Sequence, residues 1–496
     1  MMKSQREGVL VKPHCRLSQS QIDLIDGVSR DLLADPGLLC HNVAAVEIYR
    51  KAGAIIEDAG GCARVKFSDS IIDRVLDSAP SKFVLGARNP SDRLILDARE
   101  PRVRFGSGSE TNVWLEVSFE AGAAKFIRQP GSIERLSNSA HLCDNLENLD
   151  FFIRNVNIRD SGITAANKDV NQFFTSLNNI GKHVQAGLTS LSALDDVMRL
   201  GWIAAGGERS FRENPLFSFI TCAIKSPLQM VDDTAEKLIE ISRRRVPVVI
   251  SSCPMGGATG PFHEFGMIAQ INAELLAGVA LNQLVSPGAP VLYGAVPVRS
   301  RLDNLNDMYG APEFVHYNLG CAQLARHYGL PCYSTAGVGD ASLPGIQATT
   351  EKMLTFATVP ASGAQYIHYA FGLLERTNVF CPEQAVLDDV QIGLIKRTLE
   401  EPQIADDRRG DVLSLIREVM QSSHKTYMYH LPLPSRDPVY ACYPLEDGDG
   451  GALSAAHRRY REIQQRPRNQ LPLDTRKEIE QNIPGLLPEA MKLQTI

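Results

Sequence analysis

The sequence predicts an α/β protein: a (β/α)8 TIM barrel with an N-terminal α+β preface and a C-terminal helical, loop-rich extension. Three observations predict it. Eight short, β-branched apolar runs recur after residue 100, and a helical stretch follows each of them. Strands that alternate with helices imply right-handed crossovers and a parallel sheet. The chain is 496 residues long and 44% hydrophobic, enough for a large core. The expected boundaries are 1–100 for the preface, 101–385 for the barrel and 386–496 for the extension.

In the preface, LSQSQIDLIDGVSRDLLADPG reads as a helix, with Ser18 as N-cap and Asp35-Pro36-Gly37 as stop. VAAVEIYRKAGA is a second helix closed by Gly53. ARVKF is a strand, Ser68 opens a third helix, and KFVLGAR and DRLILD are strands.

The eight barrel strands are VRFGSG, DFFIRNV, KHVQAG, LFSFITC, PVVISS, PVLYG, PCYST and QYIHY. Eight units suit closure, whereas an open doubly wound sheet has roughly five to seven strands. No G-x-G-x-x-G lies between a strand and a helix, which argues against a dinucleotide fold. Beyond 385, VLDDVQIGLIKRTLEE and DVLSLIREVMQSS are helical, and HLPLPSRDPVYACYPLEDGDGG is a loop-rich excursion suited to an oligomer contact.

Composition narrows the function. Net charge is −6 and the basic residues are scattered, so no nucleic acid is expected as a partner. The run Arg243-Arg244-Arg245 reads as a helix C-terminus. The first residues lack an apolar stretch, and no window approaches a membrane span. Ten dispersed cysteines without C-x-x-C speak against structural zinc and a disulfide framework; the cytoplasm fits.

In a barrel, the C-terminal strand ends face the active site. They lead here to Glu110, Asn157, Gln185, Cys222, Cys253, Tyr293, Arg299, Thr335, Gly337, His368, Tyr369 and Phe371. No histidine pair stands at metal-ligand spacing, no lysine ends a strand, and no pair of carboxylates stands out; no metal is expected. Each residue has a plainer reading. His368 could be a core histidine bonded to backbone, Cys222 and Cys253 small core residues, and the tyrosines barrel filling. Tyr366 and Tyr369 have opposite parity, so at most one is expected to point inward. The glycines of CPMGGATGP and STAGVGD would let a ligand approach the backbone closely.

STAGVGDASLPGIQATTEKMLTFATVPASGAQYIHYAFGLLE, with VLDDVQIGLIKR after it, resembles the trimethylamine methyltransferase superfamily. LSQSQIDLIDGVSRDLL, YRKAGA and VLDSAPSKFVLGARNPSDRLIL are similar to its N-terminal region. The resemblance runs from about 17 to 400 and is specific over 331–397; the 424–451 segment departs from it. It implies a barrel that passes a methyl group from an amine to the cobalt of a corrinoid on a partner protein. Aligned on Asp340, Pro344 and Gln347, the pyrrolysine position of the trimethylamine enzymes falls at or near Gly337. The resemblance therefore implies a non-pyrrolysine member acting on a small quaternary amine, with glycine betaine favoured.

The expected catalytic residues are Gly337 and His368. Substrate contacts are expected from Glu110, Asn157, Gln185, Cys253, Tyr293, Arg299, Thr335, Tyr366, Tyr369 and Phe371. Gly256, Gly257 and Gly339 are expected to approach the corrinoid. A betaine carboxylate would be met by Arg299, Arg301 or Lys225, or by backbone N–H groups near Gly337. A homo-oligomer is expected. Two alternatives stand: a barrel enzyme of another class, such as a lyase or hydrolase, and a non-catalytic amine-binding protein.

Overall fold

The computed structural model describes residues 6–402, 404, 406–427 and 448–491. All eight expected runs form strands: β1 (Arg102–Phe105), β2 (Phe152–Ile153), β3 (Val184–Ala186), β4 (Phe217–Thr221), β5 (Val248–Ser252), β6 (Val291–Ala295), β7 (Cys332–Thr335) and β8 (Tyr366–His368). The helix that follows each is α1 (Ile133–Asn145), α2 (Lys168–Leu177), α3 (Leu194–Ala205), α4 (Asp232–Arg243), α5 (Glu264–Val285), α6 (Pro312–His327), α7 (Ile346–Thr358) and α8 (Pro382–Leu399).

The strands lie in one curled, nine-stranded sheet. Val9–Leu10 runs antiparallel beside β1, and the order continues β1-β8-β7-β6-β5-β4-β3-β2 with every pairing parallel. At the ends of this order, Asp150 N donates to Phe105 O at 2.6 Å, and isolated parallel bridges join Gly106 to Phe151 and Thr111 to Val156.

Both faces of the sheet are buried, which is why β5 and β6 read as unbroken apolar or small-residue runs rather than alternating ones. One face packs under the helices through Val103, Phe105, Phe152, Val184, Phe217, Phe219, Ile250 and Tyr293. The concave face gathers Phe151, Ile153, Val249, Leu292, Tyr333 and Tyr366 around Leu85, Leu94 and Leu96. Those leucines come from a preface hairpin, Lys82–Leu85 with Leu94–Asp97, anchored by Gly86 N to Pro215 O and Asn89 N to Gly181 O. Residues 181 and 215 precede β3 and β4, so the hairpin plugs the N-terminal end and leaves the C-terminal end for the site.

The preface helices form as their caps dictate. Ser18 and Gln21 build a capping box on Gln19–Ala34, and Asn42 caps Val43–Lys51. A long hairpin between β1 and α1, Val113–Glu120 with Ala123–Pro130, was not expected, although VWLEVSFE carries the period-2 alternation that marks it. Helix α8 follows β8 and crosses residue 385. Most of the loop-rich excursion lies outside the described residues.

Helix α5 is long and apolar enough to cross a membrane by composition, yet 89% of its most apolar window is buried in the protein. It is a core helix, apolar on every side because every side is covered.

Candidate active site

Parallel register sets β7 and β8 side by side, with Tyr333 opposite Tyr366 and Thr335 opposite His368. Alternation then sends Tyr366 and His368 to the concave face and Ile367 to the helices. The result is a column of rings. Phe151 stacks on Tyr366 at 3.5 Å, Tyr366 lies 5.7 Å from Tyr333, and Tyr333 stacks on His368 at 3.9 Å. Tyr369 leaves the strand with φ +67° and sets its ring edge-on to His368 at 3.8 Å. The expectation that only one of Tyr366 and Tyr369 reaches the interior is therefore corrected. The left-handed turn at 369 breaks the alternation that the parity argument assumed.

His368 is fully buried, and burial pushes its pKa well below the usual imidazole value, so it is neutral. Its Nε2 bonds Thr335 Oγ1, while Nδ1 has no hydrogen-bond partner among the described residues. Gln185 is also buried with neither amide atom partnered among the described residues. Cys222 and Cys253 are exposed by area, yet burial pushes the Cys253 thiol up to about 12 and raises that of Cys222. A thiol that solvent touches but protein surrounds lines a concave surface, and at such a pKa it is no thiolate nucleophile. Proximity to Cys222 and Cys253 contributes to raising the Tyr333 and Tyr369 phenols, which places both thiols near the ring column.

Other expected residues lie elsewhere. Tyr293 faces the helices, donating to Asn272 Oδ1 at 2.8 Å, and Phe371 packs into the same outer core. Both follow strand alternation or the turn after β8 away from the interior. Arg299 lies over the Phe262 ring at 5.0 Å and within 3.6 Å of Glu313, directed toward α6. Arg301 pairs with Asp303 at 2.7 Å on an exposed turn. Asn157 donates to Asn112 Oδ1 at 3.0 Å on the rim.

Gly337 is held from behind. At φ +89°, a Cβ would stand 2.3 Å from the Phe356 ring and 2.8 Å from Ala370 Cα. Its N–H donates to Thr355 Oγ1 at 2.9 Å and its carbonyl accepts from Lys352 Nζ at 2.5 Å. The N–H groups of Asp340 and Ala341 donate to Glu351. The N–H groups of Gly337, Asp340 and Ala341 are thus already engaged. Gly339 O accepts from Arg376 N, and the Gly256-Gly257 turn closes on itself through Met255 O.

Two groups were missed. Tyr333 carries the centre of the ring column, and its even spacing with Thr335 on PCYST was the available signal. Arg154 is buried at the end of β2, where its Nη2 donates to Glu110 and, at 3.3 Å, to Gly187 O. Its guanidinium lies 5.6 Å over the Phe173 ring of α2, on the helix-facing side, and its Nε and Nη1 have no hydrogen-bond partner among the described residues. A lone Arg in an apolar run carries no spacing signal.

Among the described residues no group of His, Cys, Asp and Glu is arranged to hold a metal ion. The arrangement offers aromatic rings, a neutral imidazole and the Gln185 amide.

The family model for trimethylamine methyltransferase (MTTB) matches residues 8–430. Trimethylamine methyltransferase MttB of Desulfitobacterium hafniense (strain DSM 10664 / DCB-2) is 31% identical over 391 residues, 79% of this chain and 76% of that protein. Trimethylamine methyltransferase MttB1 of Methanosarcina mazei is 29% identical, covering 77% and 75%. Glycine betaine methyltransferase of Desulfitobacterium hafniense (strain Y51) is 24% identical over 84% of each chain. The lyase, hydrolase and non-catalytic alternatives fall with these matches. The chain belongs to the trimethylamine methyltransferase family and is a methyltransferase.

Proposed function

We propose that the protein moves a methyl group from a small quaternary amine, a betaine with glycine betaine favoured, to the Co(I) of a corrinoid held by a separate carrier protein. The observation that carries this reading is the column Tyr333–His368–Tyr369 at the C-terminal strand ends, with its imidazole neutral. Ring faces hold a quaternary ammonium at about 0.5–2 kcal/mol each. Its demethylation leaves a neutral tertiary amine, so no general acid is needed. Exclusion of water favours a displacement in which charge is partly neutralised.

The carboxylate of a betaine suits the Gln185 amide, which is buried with both polar atoms unpartnered among the described residues. The rim fits a large flat ring. Gly257 has bare backbone at φ +91° beside exposed Leu302 and Phe262. When bound, the corrinoid supplies the nucleophile that accepts the methyl group; this chain binds the amine, orients its methyl toward the rim and keeps water out.

The same reading closes the sheet into a (β/α)8 barrel, supported by the Phe105–Asp150 bond and the Gly106–Phe151 bridge. It places a preface up to about residue 100 and a further segment after α8. Nine free cysteines among the described residues suit a cytoplasmic protein. Exposed Val412, Leu413, Ile416 and Met420 on the helix Arg409–Gln421 suit a homo-oligomer.

The test is incubation with a Co(I) corrinoid carrier and glycine betaine, proline betaine, carnitine or γ-butyrobetaine, with the tertiary amine product measured by mass spectrometry. Release from one of them supports the reading; no demethylated product from any of them sinks it.

A further inference from the structure

We propose that a buried clamp on α7, made by Glu351, Lys352 and Thr355 with Asp388 of α8, sets the spacing of the two loops that wall the site. Lys352, Thr355 and Asp388 are positioning residues for methyl transfer. The inference rests on the reading that the His368–Tyr369 wall receives the amine.

The geometry is one-sided. Glu351, Lys352 and Thr355 share a helix face, since residues three and four apart are neighbours there. Each bonds backbone of the β7 loop: Thr355 accepts from Gly337 N, Lys352 donates to Gly337 O, and Glu351 accepts from Asp340 N at 2.7 Å and Ala341 N at 3.1 Å. Lys352 Nζ also lies 3.0 Å from Asp388 Oδ2, with both side chains fully buried. The same Oδ2 accepts from Gly372 N at 2.7 Å, and Oδ1 accepts from Gln384 Nε2 at 2.9 Å.

One ion pair therefore holds residue 337 of the β7 loop and residue 372 of the β8 loop. Close to these anchors in the chain are Val338 and Tyr369, which pack in one apolar cluster with Tyr309. Moving either anchor moves the ring that stands against His368. Burying a lysine and an aspartate is costly and often adds no net stability. A pair that instead orders two loops at the site has a reason to be kept.

Lys352→Met alone would leave a buried, unpaired aspartate and could prevent folding. The test therefore uses the double variant K352M/D388L, which replaces the pair by apolar side chains, together with Thr355→Val and Thr355→Ser. Two readouts are taken on the full chain: hydrogen exchange of segments 336–341 and 369–373, and the Kd for glycine betaine and tetramethylammonium by calorimetry. Faster exchange in 336–341 is expected for both K352M/D388L and T355V, and in 369–373 for K352M/D388L. Amine affinity should fall about threefold or more in T355V at temperatures where the variant is fully folded, with recovery in T355S. Unchanged exchange in both variants overturns the clamp. If exchange rises but affinity stays at the wild-type value, the positioning role is overturned. Should the wild type bind neither amine, the functional reading fails, and the exchange data still decide whether the clamp exists.

Discussion

Thr335 Oγ1 and His368 Nε2 share a hydrogen bond across β7 and β8, whose register sets the two residues side by side. The bond fixes the imidazole plane against Tyr333 and leaves Nδ1 as the unpartnered edge. Burial keeps this histidine neutral, because a buried cation loses its hydration without compensation. In Thr335→Val, kcat/KM should drop about tenfold through misorientation of the ring. No ionisation from His368 should appear in the wild-type pH–rate profile between about pH 6 and 8. A bell with a His368-dependent limb in that window would contradict the assignment.

The ring column predicts a contrast between two tyrosines. Tyr369→Leu removes the half-buried ring that ends the column and should weaken binding of tetramethylammonium by about 0.5–2 kcal/mol. Tyr293→Phe, on the helix-facing side, loses only its bond to Asn272; it should cost roughly 1 kcal/mol of stability and leave affinity unchanged. Calorimetric titration with denaturant melts separates the two effects.

Gln185 predicts a split by ligand charge. In Gln185→Leu, binding of glycine betaine should weaken by about tenfold while tetramethylammonium, which has no carboxylate, binds as before. An equal loss for both ligands would assign Gln185 to structure rather than to recognition.

His183 predicts the acid limb of stability. It is fully buried between Gly86 O and Ser218 Oγ, and burial lowers its pKa to about 4. The unfolded chain takes up a proton below about pH 6.5, whereas the folded chain resists until about 4, so acid favours unfolding. Stability contributed by this group is complete above about pH 6.5 and declines by roughly 3 kcal/mol as pH falls to 4. Buried His141 and His368 shift in the same direction. Urea midpoints at several pH values should trace this slope, and His183→Gln should flatten it.

The strands and their order along the chain were legible from local pattern, because apolar β-branched runs between helical periods need no tertiary information. Family membership was legible for the same reason: the stretch around Asp340, Pro344 and Gln347 is contiguous. Thr335 and His368 could be named since each ends a strand. Side-chain direction was another matter. Tyr293 looked like a wall residue until alternation turned it toward Asn272, and Arg299 until Phe262 and Glu313 drew it aside. Gly337 was legible from the resemblance, yet only the tertiary structure puts Phe356 behind it and Thr355 and Lys352 on its polar atoms. Local sequence dictates backbone state and burial tendency, both set within a few residues. Which atoms meet across β7, β8, α7 and α8 depends on register, and register is decided by packing between segments far apart in the chain.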